Sequence, residues 1–149
     1  MILLDVTIPI EPRGKGRPKF STFGGFPRAY TDKETVTFER IIAMYLKNAW
    51  HRPPHPGPLA VLIEGVATRP GKPPGPIILK REPRIAGRLW RTTKPDLDNL
   101  QNAILDAGNA AGIWTDDKVV SKIEAYSLTA ATTEGPSIRI VVSELPEFP

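Results

Sequence analysis

The sequence predicts a compact α/β (α+β) fold: one layered domain with a mixed sheet of about four strands packed with two main helices, in the order β-α-β-α-β-β. Three observations lead there. Ile2 to Ile10 alternates Leu4, Val6, Ile8 and Ile10 against Asp5, Thr7 and Pro9, the period-two pattern of a strand with one buried face. From Asp98 to about Ala111, the residues Leu100, Ala103, Ile104, Ala107 and Ala111 recur at i, i+3, i+4, i+7 and i+11, the stripe of a helix laid on a sheet. Ile138, Ile140 and Val142 share one face of a last strand, Ser137 to Ser143, because side chains alternate along a strand.

The other elements follow in order. Glu11 to Ala29 is a loop punctuated by glycine and proline that carries Phe20, Phe23 and Phe26. Those rings either pack under the loop or between subunits, or stand ready to wedge into opened nucleic acid. Thr31 or Asp32 can cap a helix running to about Trp50, with Phe38, Ile41, Ile42, Tyr45 and Leu46 on one side. The prolines between Arg52 and Pro58 stop it. Leu59 to Thr68 is a near-continuous apolar strand, the composition expected of burial on both faces. Pro70 to Arg88 reads as an extended basic excursion, longer than an ordinary connection. Leu89 to Thr93 leads into the second helix, and Val119 to Leu128 is the penultimate strand, turned at Glu134, Gly135 and Pro136. No repeat or second boundary divides residues 1–149, and 149 residues suit one domain.

Composition narrows the chemistry. Cysteine is absent, which excludes disulfides, thiolate metal sites and thiol nucleophiles. His51 and His55, the two histidines, both lie in the proline-rich stretch, a poor setting for zinc. No apolar run reaches the roughly 20 residues of a membrane span, and Met1 to Ile10 carries Asp5 without a basic leader. A cytoplasmic protein with no membrane partner is expected. The net charge of +4 conceals an asymmetry. Arg69 to Lys94 holds eight basic residues against one acid, and Glu11 to Arg40 seven against four. Pro95 to Pro149 reverses this, with nine acids against Lys118, Lys122 and Arg139. Basic loops suit contact with a polyanion such as DNA. Arg13, Lys15, Arg17 and Lys19 are the first candidates for phosphate contact, followed by the Lys80–Arg91 group and Lys94.

The acidic half concentrates its signal in two places. Lys94-Pro95-Asp96-Leu97-Asp98-Asn99-Leu100 opens the second helix, and Trp114-Thr115-Asp116-Asp117 precedes a strand. In extended backbone Asp96 and Asp98 point to the same side. Whether Asp116 and Asp117 join them depends on sheet geometry that sequence does not contain. If they meet, such an oxygen-only cluster suits Mg²⁺ or Mn²⁺ and phosphodiester hydrolysis. The same residues also serve plainer ends: Asp98 suits a helix N-cap, and Asp96 or Asp116 a turn. A nucleotide-sugar transferase, which also uses Asp-x-Asp, is disfavoured by the short chain and the lack of a glycine-rich phosphate loop. Trp114 reads as a core anchor.

Taken together, Lys94-Pro95-Asp96-Leu97-Asp98-Asn99-Leu100, Asp106, and Trp114-Thr115-Asp116-Asp117 with Val119 and Val120 resemble the RusA-type Holliday-junction resolvases. Arg17-Pro18 and Tyr30-Thr31 ahead of the first helix fit as well. The resemblance implies a RusA-like single domain, a homodimer, and paired cuts in a four-way DNA junction in bacterial or phage recombination and repair, with Mg²⁺ or Mn²⁺. It assigns Asp96, Asp98 and Asp117 as catalytic, metal-binding carboxylates, with Asp116 assisting or shaping the turn. The sequence departs from the family at Asn102, where a catalytic lysine is usual. Asn102 lies four residues after Asp98, on the same helix face. Asparagine offers only neutral hydrogen bonds, so Lys94 or Lys118 is the candidate replacement. The departure leaves two readings open: an active resolvase, or a structure-selective junction-binding protein with little or no cleavage.

Overall fold

The structure, a computed structural model, describes residues 1–14, 19–30, 32–70 and 87–147. Its main sheet holds β1 (Ile2–Ile8), β4 (Leu59–Ala67), β5 (Leu89–Trp90), β6 (Val120–Thr129) and β7 (Ser137–Glu144) in the order β1-β7-β4-β6-β5. Two further strands, β2 (Lys19–Ser21) and β3 (Arg28–Tyr30), pair antiparallel outside it. The helices are α1 (Lys33–Ala49) and α2 (Leu97–Ala111). All sheet pairings are antiparallel except β4–β6, which runs parallel from Leu59↔Val120 to Ala67↔Thr129.

The sheet therefore has five strands instead of about four, and the loop after β1 contains a small hairpin. Both additions are short segments, too brief for a periodic signal. β2 and β3 are three residues each, and their connection uses Gly24 and Gly25, both at φ +83. β5 is two residues, paired to Thr129 and Leu128. Most of the basic excursion read between Pro70 and Arg88, from 71 to 86, lies outside the described residues.

One apolar core explains the arrangement. Phe38, Ile42 and Leu46 of α1 and Leu100, Ala103, Ile104 and Ala107 of α2 are buried against Leu59, Val61, Ile63, Ile138, Ile140 and Val142. Asp32 starts α1 by accepting the Thr35 N–H at 2.7 Å, which satisfies one of the open donors of the first turn. Gly112, at φ +72, ends α2 in the left-handed conformation that suits glycine. β4 is central but is not buried alike on both faces. Leu59, Val61 and Ile63 face the helices, whereas Ala60, Leu62 and Glu64 on the other face are half-buried.

Close packing also seats Trp114, which is buried as expected and donates from Nε1 to Asn109 Oδ1 at 2.6 Å. A Cβ on Gly108 would stand 2.2 Å from that indole ring, so the absent side chain lets the ring lie on α2. Among the described residues no helix is long and apolar enough to cross a membrane.

Candidate active site at the start of the second helix

The segment entering α2 is braced from both sides. The Arg91 N–H donates to the Ser127 carbonyl of β6 at 3.0 Å, while the Arg91 guanidinium donates to the Lys94 carbonyl at 3.0 and 2.8 Å. The Lys94–Pro95 peptide bond is cis. Asp96 is then the N-cap of α2, two residues earlier than the Asp98 that sequence favoured. Its carbonyl accepts the Leu100 N–H at 3.1 Å, but its side chain makes no capping hydrogen bond. Asp98 sits in the first turn, and both carboxylates are exposed. The partial positive charge of a helix start favours anionic side chains at such positions.

A contact that sequence did not suggest brings the basic loop here. A Cβ on Gly14 would lie 2.8 Å from Asn99 Cβ and 3.1 Å from Pro95 Cβ, so the loop backbone after β1 rests on the first turn of α2. Beneath it, a Cβ on Gly65 of β4 would meet Leu100 Cδ2 at 2.7 Å and Pro12 Cβ at 3.5 Å. The signal was a glycine set between Arg13 and Lys15, legible only as loop composition.

The candidate phosphate-binding residues divide. Arg13 is ion-paired with Glu34 and lies 4.0 Å from Asp32. Arg91 is occupied by the Lys94 carbonyl. Lys19, on the β2–β3 hairpin, and Lys94 are exposed, whereas Lys15 and Arg17 lie outside the described residues. Phe20 and Phe26 of the hairpin region are 76% and 70% exposed, so these two rings are not packed under the loop within the chain.

The second acidic pair is placed differently. Asp116 Oδ1 accepts the Lys118 N–H at 2.9 Å, and that backbone bond holds its carboxyl below the ordinary value. Asp117 opens a 3-10 turn, Asp117–Val119, that packs on α2 and leads directly into β6. The chain reaches this turn from the Trp114 ring, which lies on Gly108 and Asn109 near the end of α2. Asp96, in contrast, shares a cavity with Ala125, Tyr126 and Ser127, well along β6. The fifteen residues of α2 span about 22 Å at 1.5 Å per residue. Within one chain Asp96, in extended backbone, and Asp98, already helical, thus lie two residues apart at the start of α2, while Asp116 and Asp117 lie towards the opposite end of the helix. Asn102 is exposed, one turn beyond Asp98.

These positions test the fit of a divalent ion. Asp96 and Asp98 are two open oxygen donors of the class that hard cations take, and no described residue hydrogen-bonds or ion-pairs with either side chain. One chain supplies that pair but not Asp117 beside it. Among the described residues no group of three or more acidic or histidine side chains is gathered for a metal.

Comparison with known proteins gives two findings. A family model described as Endodeoxyribonuclease RusA matches residues 9–143. The chain is also 26% identical over 147 residues to an uncharacterized Bacillus subtilis (strain 168) protein, YqaN, covering 97% of this chain and 99% of that protein.

Proposed function

This chain belongs to the RusA endodeoxyribonuclease family, and on that premise we propose that it resolves four-way DNA junctions by paired phosphodiester hydrolysis as a homodimer dependent on Mg²⁺ or Mn²⁺. The observation that carries the reading is the state of Asp96 and Asp98. They are exposed, two residues apart and without a described cation partner, at a helix start whose leading segment is tied by Arg91 to the Lys94 carbonyl.

Asp96, Asp98 and Asp117 are the proposed metal-binding carboxylates, with Asp116 fixing the Asp117 turn through its bond to the Lys118 N–H. When bound, a divalent ion supplies activation of the attacking water and offsets charge on the phosphate. The separation along α2 bears on how the set is completed. In a two-fold pair, the Asp116–Asp117 turn of one copy can face the Asp96–Asp98 pair of the other, and the two equivalent sites that result match the two strands to be cut. Lys94, exposed two residues before Asp96, is the proposed cation in place of the lysine absent at Asn102.

The test is cleavage of a synthetic four-way junction beside linear duplex, with and without Mg²⁺ or Mn²⁺. Symmetric paired nicks confined to the junction and dependent on metal are expected. Tight junction binding with no product in either metal would replace the reading with that of a non-catalytic junction-binding protein.

A further inference from the structure

Beside Asp96 the molecule carries an aromatic feature that the proposed hydrolysis does not use. Trp90 of β5 and Tyr126 of β6 stack with ring centroids 6.2 Å apart and an interplanar angle of 27°. Trp90 pairs with Leu128 across the ladder, so Tyr126, two residues from Leu128, is its diagonal neighbour on the same sheet face. Neither ring is spent on the core: Trp90 is 44% exposed and Tyr126 36%. Tyr126 is steadied by its hydroxyl, 3.4 Å from Glu124 Oε2.

The pair borders a cavity of about 360 Å³ that also takes in Thr92, Thr93, Ser127 and Asp96. Its size falls in the range of small-ligand sites. Its chemistry has three parts: apolar rings on one side, hydroxyls that both donate and accept hydrogen bonds, and a carboxylate at the rim. A flat heterocycle attached to a sugar-phosphate matches that layout. Every nucleobase has a π-face for the rings and polar edges for the hydroxyls. Arg91 fixes the wall opposite β6 by its bonds to the Lys94 and Ser127 carbonyls.

The geometry points to a nucleobase subsite: Trp90 and Tyr126 stack an unpaired base of the DNA strand whose backbone runs past Asp96. This rests on the nuclease reading above and adds to it the group that selects opened DNA over intact duplex. A base inside a duplex has both faces covered, whereas one at an opened branch point presents a face to stack.

The experiment places 2-aminopurine at each position flanking the crossover of a four-way junction, and separately in a single-stranded oligonucleotide. Binding and base fluorescence are read with no metal added, using the full chain. The wild-type protein is expected to quench at one position in the junction and in the single strand. Trp90→Leu and Tyr126→Leu should abolish that quench and weaken junction binding roughly tenfold, the scale of one base–aromatic contact. Trp90→Phe, which keeps a ring, should retain most of both, and duplex binding should be unchanged in all three. If Trp90→Leu does not fold, Tyr126→Leu decides.

Leucine variants that bind and quench like wild type overturn the inference. So does a wild-type protein that quenches nowhere, as expected if another part of the chain or a second copy covers the rings. A protein that neither prefers nor cuts junctions, yet quenches single strands through Trp90, keeps the subsite and removes the resolvase reading instead.

Discussion

Acidic residues behave differently in two regions of this molecule. Across the sheet face turned away from the helices runs a chain of ion pairs. Asp5 meets Arg139 at 2.8 Å, Arg139 and Arg88 reach Glu64 at 3.4 and 3.6 Å, and Arg88 meets Glu134 at 2.5 Å. Hydrogen bonding to arginine holds the Asp5 and Glu134 carboxyls below their ordinary values, because the ionised form is the one being stabilised. At the start of α2, Asp96 and Asp98 have no such partner among the described residues. Carboxylates that tie strands together come with their cations built in. A pair left exposed without one is suited to a cation or substrate brought from outside, and composition alone does not tell the two kinds apart.

The sharpest way to break this contrast is to remove charge from each side. Asp96→Asn or Asp98→Asn should lower junction cleavage by at least about 100-fold, the scale of losing one electrostatic catalytic group, while junction binding persists. Glu64→Gln should leave cleavage within a few-fold. Equal losses in gel-based cleavage assays would erase the distinction.

A second experiment sharpens where Asp117 acts. In a mixed dimer of Asp96→Asn and Asp117→Asn chains, sites shared between copies leave one site wholly intact and one doubly damaged. Single nicks should then reappear on mixing two inactive proteins. Sites built within one chain would each carry one lesion, and the mixture would stay inactive.

Packing gives a smaller effect. Gly108→Ala places a methyl against the Trp114 indole, an overpacking expected to cost about 1–3 kcal/mol. Calorimetry should show a melting point lower by roughly 2–4 °C per kcal/mol for a domain of this size. An unchanged melting point would mean that the ring moves aside freely.

The smallest effect concerns pH. Glu134 holds its proton less readily folded than unfolded, so its pairing with Arg88 stabilises the fold above the ordinary value of 4.5. That contribution fades as pH falls through the lowered folded value. For a part-exposed pair it should be under about 1 kcal/mol. Glu134→Gln should reduce stability near neutrality and flatten its decline as pH falls below 4.5; a Gln variant with the wild-type slope would assign the acid sensitivity elsewhere.

Much of this was legible beforehand where a long element repeats its signal. The stripe through Leu100, Ala103, Ile104 and Ala107 and the alternation at Ile138, Ile140 and Val142 both proved to be core-facing. Short elements were not legible. Nothing in Leu89–Trp90 by itself announces a strand, since its two residues are ordered by pairing with β6. Nor did Gly14 reveal that it rests on Asn99, a contact between parts of the chain 85 residues apart.

By itself the sequence determined the layer fold, the two main helices and the four long strands, because local periodicity and caps are properties of neighbouring residues. It also determined the family, through motifs whose order and spacing are linear facts. The tertiary structure decided which acids are already paired, that Trp90 and Tyr126 stack beside Asp96, and that Asp96 and Asp117 stand towards opposite ends of α2. Those are distances through space. They are set by the register of β6 against β4 and by the length of the helix between the two acidic pairs, and no run of residues states them on its own.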